Sequence, residues 1–579
     1  MHEDQSPNTQ PLPDNHLAHL QAAFPWANWK NTILLTIAIF LIRLLYLLLL
    51  SPYELAGDEA QYWDWSRHLS LSYFTKGPGV AWTIFASTKL LGSYTWTVKL
   101  PALIAFAIIM LTAARLTTLI ANNDQRPGFF AAALVALCPP FFAAGQFMTI
   151  DEPFFACWII ASFFTLKAFK KQQQNQSPFL LYQLAAFIIG LGFLYKYTIL
   201  LLIPGLILFA LIHHKPLQTF KPKNLLPLIP ATIILLITIS PVFIWNAQHD
   251  WITVKHLVGH LGVEGGDRVI EQAPSFFTVQ KLILNPLEMI GTQVGAFGIP
   301  LVILTFISYR LIKKQRNENP NLWLDACFLL YAALPVILFY LAVAFVKKVQ
   351  PNWPVAGYLT LLPLIALPAV PQLLDYTKRL KDWKANNKPG KKPSNPWQAN
   401  FHFAIGWGSV AAFIIMSAPY LSYIYPNLSG MRRVTGLKQD AAQIQKQIEL
   451  TTQQTGQAPI IITDNYQKTA RLAFYLPGQP TIFSAQHYYG ERPTDYDRFA
   501  DTNLLNPSLH NRTAILIGLT PEKWRKEFSF ANIKDSAIPT SSSTYRLMIG
   551  SNFQGPTSPP KLNTFTNQQL NPQSQPIRH

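Results

Sequence analysis

Cysteine is almost missing from this chain, with three in 579 residues. Cys138, Cys157 and Cys327 lie within or beside apolar runs, at spacings that suit neither a zinc site nor a disulfide framework, so packing is the expected role of all three. Charge is scarce too, at 13% of residues, and acids are the scarcer sign, 29 against 47 Lys and Arg. A chain that is 50% hydrophobic with a mean hydropathy of +0.17 excludes an ordinary water-soluble domain and a disordered one. No internal repeat is visible, and no RNA- or DNA-binding motif accompanies the net charge of +18. Nothing at the start reads as a cleavable signal. The first thirty residues are polar and Pro-rich, and the first apolar run is too long for an h-region, so a retained signal anchor is expected.

Long apolar runs are what the chain has in abundance. Several reach about 20 residues, the length a helix needs to cross a bilayer core. The pattern predicts about 11 transmembrane helices, at 32–50, 99–120, 128–146, 154–170, 179–195, 197–213, 225–245, 287–311, 323–346, 354–373 and 402–424. The stretch 179–213 would make a helix of about 50 Å, too long for one crossing. It is divided at Lys196, because a lone lysine prefers the interface to the bilayer core. Basic clusters fall in alternate loops: Lys167, Lys170 and Lys171; Lys215, Lys221 and Lys223; Arg310 to Arg316; and Lys378 to Lys392. By the positive-inside rule these loops and the N-terminal tail (1–31) are cytoplasmic. The cations therefore report topology, and no nucleic-acid partner is expected.

The fold class expected is an α-helical polytopic membrane protein with a small C-terminal α/β domain. An odd number of spans puts everything after the membrane domain (32–424) outside. Residues 425–550 change character: a polar helix over 436–454 is followed by "PIIIT", "TIFSA" and "TAILIGL" as short strands, with helices at "NYQKTARLAFYL" and "PEKWRKEF". Residues 551–579, rich in Pro, Gln, Asn and Ser, are expected to be disordered.

The loops assigned to the outer side carry the chemistry. Loop 51–98 begins "LAGDEAQYWDW", placing Asp58 and Glu59 at the start of a short helix whose Trp and Tyr residues suit the headgroup layer. A second acidic pair, Asp151 and Glu152, precedes Pro153 in another loop on the same face. Each pair also reads as an ordinary helix start. Two such pairs on one face, in a chain this poor in acids, point instead to a shared site. Neighbouring residues on a helix diverge by about 100°, so each pair offers one carboxylate to it. In "YFTKGPGVAW" the rigid Gly77-Pro78-Gly79 turn holds Lys76 where a fixed cation suits a phosphate. Lys196, Lys347 and Lys348 fall at the same level, as interfacial anchors or as further cations of the site. His249 in "QHDW" reads as a structural histidine or as a ligand.

An Asp-Glu pair just after the first span, an aromatic stretch, a Lys-Gly-Pro turn and an Asp-Glu-Pro loop, in that order, resemble glycosyltransferase family 39. This family includes protein O-mannosyltransferases, and the lipid A aminoarabinose transferases are related. "WNAQHDW" (245–251), "KVQPNWPVAGY" (348–358) and "DNYQKTARLAFYLPGQP" (464–480) resemble stretches of bacterial members, so the likeness runs from about residue 30 to 500. It implies a GT-C membrane fold in the bacterial inner membrane that transfers a sugar from a polyprenyl-phosphate donor to an acceptor lipid, glycan or protein. Asp58 then matches the catalytic acid, Asp151 the second-loop acid, and Lys76 the lysine at the donor phosphate, with Glu59, Glu152, Lys196 and Lys348 as further members of the site. His249 falls where the aminoarabinose enzymes place a metal-binding histidine. The glutamate that shares that metal is replaced by Thr75, so no cofactor is required and a divalent metal is optional. The competing reading from another class is a secondary transporter or lipid-linked sugar flippase. It would call for ionisable groups at mid-membrane on broken helices, often within inverted repeats.

Overall fold

The computed structural model describes residues 23–213, 225–261, 278–386, 391–425, 433–536 and 546–559. Expectations for residues 1–22 and 560–579, for Lys215, Lys221 and Lys223, and for residues 262–277 lie outside these.

The membrane part is a bundle of helices. α1 (Trp29–Leu45) continues through a π-helical turn to Leu50, and is followed by α2 (Gly57–Ser66), α3 (Gly79–Leu91), α4 (Thr95–Ile120), α5 (Gln125–Leu137), α6 (Pro139–Ala144) and α7 (Asp151–Gln173). After these come α8 (Phe179–Tyr195), α9 (Leu202–His213), α10 (Leu228–Gln248), α11 (Ile252–Leu261), α12 (Asn285–Phe297), α13 (Ile299–Lys314), α14 (Pro320–Ala344), α15 (Tyr358–Ala366), α16 (Ala369–Ala385) and α17 (Pro396–Ser417). Every apolar run read from the sequence falls on helix. Among the described residues, six helices are long and apolar enough to cross a bilayer alone, or eight if the bent pairs α12–α13 and α15–α16 each count once. The expected eleven thus include segments that are short or bent. α8 and the segment from Tyr197 to His213 are separated by a break at Lys196, whose extended backbone (φ −148°, ψ 119°) ends one helix before a 3₁₀ turn begins the next.

The bundle turns apolar side chains outward as well as inward, as lipid-facing helices do. On α1 and its extension Ile42, Leu49 and Leu50 are 60%, 74% and 64% exposed. Proline inside α10 is tolerated for a local reason. Pro241 cannot bond the carbonyl of Ile237, and the Ser240 hydroxyl donates to that oxygen at 2.8 Å instead.

The C-terminal part contains α18 (Leu437–Thr455), β1 (Ile460–Thr463), α19 (Tyr466–Tyr475), β2 (Phe483–Ser484), β3 (Ala514–Ile517), α20 (Pro521–Glu527), β4 (Asn532–Asp535) and β5 (Leu547–Ser551). The sheet order is β2-β1-β3-β5-β4, parallel across β2-β1-β3 and antiparallel at the β5 and β4 edge. β4 and β5 are additions to the expected elements. β4 shows no apolar run, with only Ile533 buried. Residues 551–559, read as disordered, are packed as far as they are described. The amide of Thr557 bonds the carbonyl of Glu527 at 2.9 Å.

One apolar core joins this part to the loop between α1 and α4. Leu55, Trp63, Trp65 and Val80 pack with Ile444, Ala470, Phe474 and Ile515. Trp63 meets Phe474 edge-on at 4.9 Å, and Trp65 stacks on Tyr73 at 4.4 Å. The expected headgroup-layer helix is therefore corrected: α2 is a core element, and its aromatics face protein because a folded domain covers them.

Candidate active site

Glu59 performs the helix-start role considered for Asp58. Its carboxylate accepts the Ala56 amide at 3.0 Å and the Met148 amide at 2.7 Å, and it pairs with Lys99 at 2.6 Å, all inside the protein. This buried pair locks α2 to α4 and to the loop before α7. Asp58 sits one step around the helix and faces outward. One of its oxygens accepts from the Tyr466 hydroxyl at 3.3 Å and from the Gln467 amide group at 3.1 Å. Both donors come from the first turn of α19, which Asn465 caps. Gly57 makes the approach feasible, since a Cβ there would lie 2.7 Å from the Gln467 side chain.

Asp151, at the start of α7, is held on both oxygens, by Lys196 at 2.6 Å and by Asn352 at 2.6 Å. The helix break at Lys196 aims that lysine here. The Lys76 turn packs against the same break. A Cβ on Gly77 would lie 2.3 Å from the carbonyl oxygen of Leu194, and one on Gly79 3.0 Å from it, so the two glycines set how closely the turn docks on the end of α8.

These groups line two cavities that meet. One, of 640 Å³, is lined by Lys76, Lys196, Lys347, Tyr62 and Tyr340 among others. The second, of 830 Å³, includes Arg433, Arg471, Gln467 and Phe147. Asp58, Thr149, Asp151 and Asn352 belong to both. A separate cavity of 300 Å³ among α7, α8, α9 and α10 has no charged lining residue.

Burial, then the positive charge of Lys196, lowers the pKa of Lys76 to about 8. The phenols of Tyr62 and Tyr466 are pushed up by burial, then by Asp58, and stay neutral donors. The smaller cavity is therefore a partly dry space rich in cations, suited to an anion.

Four residues expected in the site lie elsewhere. Glu59 is consumed by Lys99. Glu152 is buried against Arg43, whose guanidinium lies 4.4 Å from each of the Phe106 and Phe142 rings, because the next position on α7 points into the bundle. Lys348 leaves the cavity to pair with Glu288 at 2.5 Å on an exposed surface, and its neighbour Lys347 lines the cavity instead. His249 ends α10, stacks on Trp245 at 4.2 Å and donates from Nδ1 to the Trp245 carbonyl at 2.7 Å. It lines neither cavity, and burial lowers its pKa. Among the described residues no group of three or more His, Cys, Asp or Glu side chains is placed to hold a metal ion. These donors do not fit the metal site that the resemblance left open. Asn352, Tyr466, Gln467 and Arg471 were not singled out from the sequence, although they lie within "KVQPNWPVAGY" and "DNYQKTARLAFYLPGQP".

Residues 75–245 match the family model described as dolichyl-phosphate-mannose-protein mannosyltransferase. The lipid A galacturonosyltransferase RgtD of Rhizobium johnstonii is 28% identical over 317 residues, 52% of this chain and 58% of that protein. The chain thus matches less than two thirds of that relative's length. Its fold is similar to the crystal structure of ArnT from Cupriavidus metallidurans in the apo state, with a TM-score of 0.55 at 14% identity, covering 89% of this chain and 97% of that one. The same protein bound to undecaprenyl phosphate gives 0.53 at 14% identity, covering 91% and 98%. In its fold and in the sequence of its matched segment, this chain is a multi-pass membrane protein of the GT-C, glycosyltransferase family 39-like kind.

Proposed function

We propose that the protein transfers a sugar from a polyprenyl-phosphate donor to a hydroxyl-bearing acceptor at the outer face of a bacterial inner membrane. The observation that carries this reading is the junction of the two cavities at Asp58, one of them lined by Lys76 and Lys347. The relative RgtD, a lipid A galacturonosyltransferase by name, and the undecaprenyl phosphate bound to ArnT agree with it.

Asp58 is the base. The acceptor oxygen attacks the anomeric carbon while its proton passes to the Asp58 carboxylate. The bond from that carbon to the phosphate oxygen breaks, and the polyprenyl phosphate leaves with the electron pair. Lys76 meets the charge that appears on it. Attack opposite the leaving phosphate inverts the sugar carbon. Asp151 is a positioning residue: Lys196 and Asn352 occupy its oxygens, so it orders the wall between the cavities and keeps Lys196 in place. Tyr466 and Gln467 hold the Asp58 carboxylate toward the junction.

The test supplies purified protein with radiolabelled polyprenyl-phosphate sugars and candidate acceptors. Label moving from the donor to an acceptor, with release of polyprenyl phosphate, is the expected result. Donor that crosses a vesicle membrane unchanged, with no transfer, refutes it and favours a flippase.

A further inference from the structure

The larger cavity has two walls of opposite character. Ala143, Ala144, Phe147 and Phe155, from the membrane bundle, make one of them apolar. The other carries Arg433 and Arg471, from the start of the C-terminal part and from α19. Arg471 lies four residues after Gln467, so α19 presents to one space both a residue that orients the base and a guanidinium. The acids nearby are engaged elsewhere. Glu54, which faces Arg471, accepts the amides of Leu437 at 2.5 Å and Lys438 at 3.0 Å and so serves the start of α18. Asp151 belongs to Lys196 and Asn352. What the cavity offers is a hydrocarbon-compatible wall, two arginines and one base.

Resting on the proposed transfer, we propose that this cavity is the acceptor site and that the acceptor is an amphiphile with an anionic group, a phosphate or carboxylate, next to the hydroxyl that receives the sugar. Its chain lies along the apolar wall, and its anion engages Arg433 and Arg471, whose planar forks match such oxygens in pairs. The hydroxyl beside the anion then reaches Asp58. A protein side chain as acceptor would leave the arginines without a role.

The experiment measures binding to the full-length protein in phosphatidylcholine nanodiscs. The probes are lysophosphatidylglycerol, a monoacylglycerol of the same chain, inorganic phosphate, and undecaprenyl phosphate. Wild type is expected to bind the anionic lipid at least about tenfold more tightly than the neutral one or phosphate alone. Arg433→Gln, at an exposed position where folding is not at stake, is expected to remove most of that preference, and Arg433→Lys to restore part of it. Undecaprenyl phosphate binding is expected to be unchanged in Arg433→Gln and weakened in Lys76→Ala, the reverse of the lysolipid pattern. Equal binding of the two lipids, no binding of either, or loss of undecaprenyl phosphate in Arg433→Gln overturns the proposal. Inorganic phosphate matching the lysolipid makes the site an anion site without a lipid and overturns it too. Lysolipid selectivity without undecaprenyl phosphate binding instead refutes the donor reading and leaves the arginine site standing.

Discussion

Raising the pH from 7 to 9 neutralises most of Lys76 while the phosphate of a polyprenyl phosphate stays ionised, since its second pKa is near 6. With a pKa of about 8, the charged fraction of this lysine falls from about nine tenths to about one tenth. Donor-lipid binding that needs the ammonium should weaken by about tenfold across that range, whereas a lysine titrating at its ordinary value would leave it nearly flat. The sign follows from the direction of the shift: the cation is present below pH 8 and lost as the pH rises through it. The other cations nearby do not mimic this. Lys196 is held by Asp151 at 2.6 Å, and Arg433 and Arg471 keep their charge throughout. Lys76→Ala removes a charge-assisted contact worth roughly 1.5–3 kcal/mol, so at pH 7 it should weaken binding by roughly 10- to 150-fold and abolish the pH dependence. Lys76→Arg should bind with part of the wild-type affinity and a flat profile, because the guanidinium does not deprotonate and its fork suits the tight turn poorly. The assay is equilibrium binding of labelled undecaprenyl phosphate in nanodiscs from pH 7 to 9.5, at fixed ionic strength. A wild-type curve without a break near pH 8, or a break that survives in Lys76→Ala, refutes the assignment of Lys76 to the phosphate.

Asp58→Asn should lower turnover by roughly 10²–10⁴-fold while donor binding and thermal stability stay near wild type, because Asn retains the contacts to α19 but cannot take a proton. Transfer at the wild-type rate would remove Asp58 from the chemistry. Lys99→Met should destabilise the protein by about 3–5 kcal/mol in thermal or denaturant unfolding, since it strands the Glu59 carboxylate inside, and Glu59→Leu added to it should recover part of the loss. Equal stability of the single variant and wild type would contradict a locked α2. Alkaline phosphatase fused after residue 430 should be active, and a fluorescent cytoplasmic reporter there should be dark. The opposite pattern reverses the proposed topology.

Periodicity and charge were sufficient to place the helical segments, because each long apolar run has the same solution in lipid. The break at Lys196 was readable for the same reason: a lysine in the middle of 35 apolar positions has to leave the bilayer or find an acid, and it finds Asp151. Asp58, Lys76, Asp151 and Lys196 lining one cavity followed from their placement on a common face. Which member of each acidic pair faces that cavity did not follow. Glu59 and Asp58 differ by one step of a helix, and the choice depends on Lys99, forty residues away. The fate of the α2 aromatics was not legible either, because Trp at a membrane surface and Trp beneath a folded domain have the same local sequence. Tyr466 and Gln467 were hidden by distance, since nothing in their own neighbourhood marks a contact with Asp58.

That contact spans 408 positions in the chain. At ordinary translation rates of 5–20 residues per second, Tyr466 is made roughly 20–80 s after Asp58. The membrane helices have time to insert and pack while the base still lacks the groups that orient it. A nascent or prematurely terminated chain therefore carries Lys76 and both cavities' membrane walls without a finished junction between them, and activity arrives only when α19 has been made and docked. Assembly order thus acts as a safeguard against an incomplete protein consuming polyprenyl-linked sugar.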